Sequence, residues 1–194
     1  QPTFSPSSRR QRRPHFFDVN LSAGLSFGGA TLASGELTDG SDRTLRAGTG
    51  VILSLGGKLT PVWIGDCIGF GAGVDFGWKY GSMTASDGAI TLTRFPLVGT
   101  IHGLLRVSSD WFIFVAGGLV YEVDVSVSSS GVLAGTNAKA DNALGELAEA
   151  GLRYVEDEFG VDIKLRYTSL EYRFESGTFS ANNGGFYLGL VYLF

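Results

Sequence analysis

The sequence holds one cysteine, two histidines and five prolines in 194 residues, and no apolar stretch approaches the roughly 18 residues of a membrane helix. Cys67 alone can close no internal disulfide, and an internal cysteine cannot carry an N-terminal lipid anchor. His15 and His102 are far apart, so with a single cysteine they offer no metal-ligand spacing and no metal or other cofactor is expected. Charged residues make up 18% and hydrophobic ones 44%, a balance that excludes a disordered chain. The mean hydropathy is nevertheless slightly positive, at +0.16. Apolar content without apolar runs is what alternating membrane strands produce.

Glycine is abundant, at 29 residues, and the charge is uneven. Arg9, Arg10, Arg12 and Arg13 all lie in the first fourteen residues, which also hold three of the prolines; without those four arginines, 11 bases face 19 acids. Residues 1–14 are expected to be an extended basic tail, with Phe4 between Pro2 and Pro6 as its one apolar anchor. The chain begins at Gln1 with neither an initiator Met nor a basic-then-apolar leader, so it is expected to be the mature form of an exported precursor.

From His15 the pattern changes to a period of two. Phe17, Val19, Leu21, Ala23, Leu25 and Phe27 alternate with polar or small residues over at least eleven positions, enough to cross a bilayer at a tilt. Further strands are expected at about 46–58, 67–80, 90–106 and 111–125, then to Val155, from 160 to about 170, and at 185–194. Ile52 is the one apolar exception on the polar face of the second. Pro61 and Gly65 fall in the expected connection between the second and third, and a bulge is expected near Pro96. Long loops are expected at 31–45, 81–89, 126–143 and 171–184, where apolar alternation stops.

Eight such strands predict an all-β, antiparallel up-and-down barrel over residues 15–194, and three features favour a transmembrane barrel over a soluble one. The polar faces carry mid-strand charges of both signs, and many glycines. Trp78, Tyr80, Tyr121 and Tyr167 fall at one level of the apolar face and Trp63, Trp111, Tyr154 and Tyr192 at the other, as interfacial girdles do. Long and short connections alternate. Leu21, Val51, Val74, Ile101, Val115, Leu152, Ile163 and Leu190 are then expected to face lipid.

The final ten residues, GFYLGLVYLF, place Phe186, Leu188, Leu190, Tyr192 and Phe194 on one face and end on the last aromatic. This stretch resembles the C-terminal signal of bacterial outer-membrane barrels, and residues 15–194 are similar in spacing and size to the small eight-stranded family of OmpA transmembrane domains, OmpX and OmpW. The resemblance implies a Gram-negative outer-membrane location, transient recognition by the barrel-assembly machinery, contact with outer-membrane lipids, both termini in the periplasm and four loops outside the cell.

Hairpin registers predict what fills the lumen. A turn at 156–159 sets Arg153 opposite Asp162 and Glu149 opposite Arg166, and the turn at 108–110 brings Arg94 towards Glu122 or Asp124. These charges are expected to form an ion-paired plug, or alternatively to line a narrow path for ions or small solutes. Neither histidine meets an outward serine at the lipid interface, so no catalytic residues are expected and the protein is not expected to be an enzyme. The arginine tail is expected to hug anionic lipid or to dock on a periplasmic or outer-membrane partner; nucleic acid is excluded as a partner for an exported barrel.

Overall fold

A computed structural model describes residues 16–36, 42–85, 88–131 and 137–194. Among the described residues there are thirteen strands: β1 Phe17–Gly28, β2 Thr31–Glu36, β3 Asp42–Arg46, β4 Gly50–Ile64, β5 Ile68–Ala85, β6 Gly88–Arg106, β7 Trp111–Gly131, β8 Ala138–Lys139, β9 Ala143–Glu156, β10 Phe159–Ser169, β11 Glu171–Phe174, β12 Gly177–Ser180 and β13 Asn183–Leu193. Eight of them close into a barrel in the order β1, β4, β5, β6, β7, β9, β10, β13, with β13 paired back to β1. Every neighbouring pair is antiparallel. Closure leaves no open edge along the membrane-crossing part, which a bilayer requires because it offers no water to unpaired backbone groups.

The eight positions expected to face lipid are 42–73% exposed and lie on the outer surface. Charged and small residues face inward, and Ile52, the exception in its strand, is buried among them. Glycine lets so narrow a barrel accept large inward side chains. Tyr187 on β13 is the cross-strand neighbour of Gly24 on β1 and lays its ring over it, and a Cβ on Gly24 would come within 2.4 Å of that ring. Alanine there would displace either the ring or the strand.

The described residues of the four segments expected as loops are mostly hydrogen-bonded sheet. Across 81–89, β5 and β6 stay paired up to Ala85 and Gly88; β7 continues to Gly131, and β8 pairs with it at Ser126 and Val127. Residues 31–45 contain the hairpin β2–β3, and 171–184 the hairpin β11–β12. The physical reason is common to all four. Outward apolar residues are needed only where lipid is the solvent, so the apolar alternation ends at the membrane boundary while the ladder runs on with Ser82, Thr84, Thr91 and Ser128 facing out. A tilted strand needs about 9–11 residues to span a bilayer, so the 18, 19 and 21 residues of β5, β6 and β7 raise one wall well above it.

Two proline-linked irregularities reset which way side chains point. The bulge near Pro96 is present, but its one extra residue lies on the partner strand: pairing shifts between Thr93 and Phe95 as β7 passes through Asp124, which has φ +51°. Asp124 therefore points outward, where it pairs with Lys139 at 2.6 Å, and not into the lumen towards Arg94. Pro61 lies within β4 and not in a connection. Pairing with β5 shifts between Leu59 and Val62, where Pro61 has no N–H to give. That bulge corrects the expected girdle position of Trp63, whose ring turns into the end of the lumen.

Candidate functional site

Buried charged side chains of the described residues converge in the lumen, which is built in layers. Arg153 on β9 donates from Nε and Nη2 to both carboxylate oxygens of Asp162 on β10, at 2.7 and 2.9 Å. Its Nη1 crosses the lumen to Asp18 on β1 at 2.8 Å. One level further from the termini, Arg166 donates to Glu149 from Nε at 2.7 Å and to Asp75 on β5 from Nη2 at 3.1 Å. Lys58 lies 3.8 Å from Glu149, and Asn20 donates to the second oxygen of Asp75 at 3.3 Å. Lys164 is 1% exposed, and its Nζ has no hydrogen-bond partner.

Charges in these two layers balance. Lys58, Arg153, Lys164 and Arg166 face Asp18, Asp75, Glu149 and Asp162, all of them buried. Balance matters because an unpaired charge at this depth would cost several kcal/mol. Lys164 thus completes the balance through charge alone, without a hydrogen bond of its own. His102 shares a 3.1 Å hydrogen bond with Thr60 within the lumen. Cys67 is free and exposed at the turn after β4. Among the described residues no three His, Cys, Asp or Glu side chains converge as a metal site would need.

Both ends of this polar column are covered by apolar side chains. At the end bearing the termini, Phe112, Val155, Val191 and Leu193 pack together with Trp63, and the Arg106 guanidinium stacks over Trp63 and Phe112 with its carbon 5.9 and 5.2 Å from the ring centres. At the loop end a larger cluster joins the raised wall to both hairpins, including Leu45, Met83, Leu92, Val125, Leu170 and Tyr172.

Arg94 ties that cap to the barrel. Its side chain is fully buried, and it donates to the Ala47 carbonyl, to the Thr49 carbonyl at 2.6 Å and to the Tyr172 hydroxyl at 2.8 Å. Tyr172 in turn donates to Glu122. Burial, reinforced by the Glu122 carboxylate, keeps the Tyr172 hydroxyl well above its usual pKa and so protonated as a donor. Arg94 therefore reaches Glu122 through Tyr172, where a direct ion pair was expected. Arg94 and Lys79 are cross-strand neighbours of like charge, and Lys79 donates to Asn183 at 3.3 Å.

Of the residues singled out from the sequence, Glu149, Arg153, Asp162 and Arg166 meet in the lumen in the registers derived from their hairpin. Arg94 and Glu122 meet through Tyr172, and Asp124 lies outside the lumen. Asp18, Asp75 and Lys58 complete the networks from across the barrel, and no hairpin register could have paired them with Arg153 or Arg166. Phe186, Leu188, Leu190 and Tyr192 of β13, with Phe194 just after it, form an outer stripe, the Tyr192 and Phe194 rings 4.7 Å apart. Trp111 stacks beside Tyr154 at 5.1 Å at the same level. Phe4, Arg9, Arg10, Arg12, Arg13 and His15 lie outside the described residues.

No protein-family model and no curated protein sequence matches the chain. Solved structures do. Ail, the attachment invasion locus protein of Yersinia pestis, solved with the heparin analogue sucrose octasulfate, is similar over 94% of this chain and 100% of its own, with a TM-score of 0.57 and 14% identity. Neisserial surface protein A is similar over 92% of this chain and 97% of its own, with a TM-score of 0.56 and 14% identity. Fourteen per cent identity over nearly the whole chain speaks for shape alone, and that shape is the small eight-stranded outer-membrane β-barrel.

Proposed function

We propose that this chain is a non-catalytic outer-membrane protein whose barrel anchors a structured, contact-making loop end. The observation that carries this reading is the lumen itself: an ion-paired column, charge-balanced in the layers of Arg153 and Arg166, covered by apolar clusters at both ends. A conduit needs polar groups free to exchange partners with water and solute, whereas here Arg153 and Arg166 each hold two carboxylates. What remains available to partners is the outer surface of the hairpins and of the raised β5–β7 wall.

In this reading both termini and the short turns lie in the periplasm and the hairpins outside the cell, in keeping with the short-turn rule for such barrels. The outer stripe of β13 is the segment offered to the barrel-assembly machinery. Arg9, Arg10, Arg12 and Arg13 hold residues 1–14 against anionic lipid, at about 1 kcal/mol each near such a surface, or bring the segment to a periplasmic partner with Phe4 as its apolar contact. The lumenal placement of His102, hydrogen-bonded to Thr60, supports the absence of a lipid-facing nucleophile and base.

The rival reading is a narrow solute channel. Release of a small fluorophore from proteoliposomes separates the two: retention over hours supports the anchored platform, and rapid release that a lumen substitution such as Glu149→Gln alters would overturn it. For the tail, capture of periplasmic proteins by the full chain but not by one beginning at His15 supports docking. Identical captured sets leave the tail as a lipid tether.

A further inference from the structure

At the end of the lumen that bears the termini, a small cavity of about 20 Å³ lies where the ion-paired column meets the apolar plug. Asp18, Thr60, Arg106 and Arg153 supply its polar wall, and Trp63 and Phe112 are among the apolar residues that close it. The strands bring these groups to one level. Arg106, Phe112, Arg153 and Asp162 are successive cross-strand neighbours on β6, β7, β9 and β10. Thr60 stands on β4 just before Pro61, where its carbonyl accepts from Trp63 Nε1 at 3.1 Å and its hydroxyl shares the bond with His102.

Two polar atoms of this wall have bonds still to make. Asp18 is 4% exposed, and its Oδ2 is held by Arg153, whereas its Oδ1 has no partner among the described residues. Arg106 Nε, also buried, has none either. A buried carboxylate oxygen and a buried guanidinium N–H are groups that folded proteins satisfy, because an unmade bond on a charged group is costly away from water. Here an acceptor and a donor line the same cavity, so one guest able to accept and to donate serves both.

We propose that this cavity is the binding site of a single structural water, which accepts from Arg106 Nε, donates to Asp18 Oδ1 and completes its set on the Thr60 hydroxyl. Size selects the guest: a cavity needs about 10–15 Å³ to hold one water, so this one takes a single molecule and no organic solute. Charge selects it too. A sodium ion would face the guanidinium groups of Arg106 and Arg153, and a halide would face the unpaired oxygen of Asp18. Once seated, the water joins the plug to the column, because Arg106 lies over the Trp63 and Phe112 rings while Asp18 belongs to the layer of Arg153 and Asp162. The site concerns the terminal end of the lumen alone and stands whether or not the loop end has a partner.

Crystals of the full chain grown from detergent and soaked in sodium bromide test the site, at a resolution that shows ordered water. One solvent peak is expected within about 3.2 Å of both Arg106 Nε and Asp18 Oδ1, with no anomalous signal from bromide. Arg106→Met keeps a side chain over Trp63 and removes the N–H, and is expected to lose that peak; heat-dependent gel mobility confirms that the variant folds. A direct bond from Arg106 to Asp18 in place of solvent, a dry cavity, a bromide peak within it, or full retention of the peak in Arg106→Met would each overturn the site.

Discussion

Arg153 and Asp162 face each other on adjacent strands and share two N–H···O bonds of 2.7 and 2.9 Å, while the same guanidinium reaches Asp18 from 135 residues away in sequence. A hairpin contact and the closure of the barrel therefore share one side chain. Replacing Arg153 by Met would leave two buried carboxylates without their cation, and the expected loss is about 3–5 kcal/mol. Urea unfolding in detergent micelles measures it. Adding Asp18→Asn and Asp162→Asn to Arg153→Met is expected to restore a good part of that loss; a triple variant no more stable than the single one would show that charge is not the cause.

The cap depends on Arg94. Tyr172→Phe removes the hydroxyl through which Arg94 reaches Glu122 and leaves the Glu122 carboxylate short of a donor, at an expected cost of about 1–3 kcal/mol. The effect should be local. Amide hydrogen exchange is expected to rise in β2–β3 and β11–β12 while β1, β10 and β13 keep their protection. Equal loss of protection throughout would mean that the hairpins are not a separate unit held by this contact.

How far the sequence foretold this follows from what each pattern reports. Alternation reports the solvent on each face, so the lipid-facing set from Leu21 to Leu190 and the pairing of Arg153 with Asp162 were both legible. It is silent once strands leave the bilayer, which is why Met83 and Leu92 read as parts of a loop and a strand start although both belong to the cap. Bulges are the second blind spot: the one at Thr60–Pro61 turns Trp63 inward, and the one at Asp124 turns a supposed lumen carboxylate outward. Tyr172 was hidden for the first reason, since its hairpin offers only the short alternation of Tyr172 and Phe174 before a glycine turn.

Trp63 is the exposed weak point of the terminal plug. Trp63→Ala removes the ring that packs over Phe112, Val155, Val191 and Leu193 and that carries the Arg106 guanidinium. The expected cost is about 3 kcal/mol at most, because the ring is only partly buried. Thermal unfolding in detergent checks it. A loss near zero would mean that the ring lies outside the packed cluster.

The outer stripe on β13 is expected to matter for insertion more than for stability. Phe194 is 64% exposed, so Phe194→Ala removes little buried surface. Refolding in detergent is expected to be close to that of the unaltered chain, while the amount inserted in the bacterial outer membrane falls. Unchanged membrane levels would remove the stripe from any role in assembly.

Planar-bilayer conductance tests the closed lumen most directly. With Arg153 and Arg166 each shared between two carboxylates and apolar clusters over both ends, the unaltered chain is expected to give no resolved steps, and neither is Trp63→Ala combined with Arg94→Ser, which loosens the ends and leaves the ion-paired layers in place. Reproducible single-channel steps from the unaltered chain, changing in size when Arg94 or Glu149 is replaced, would contradict the account.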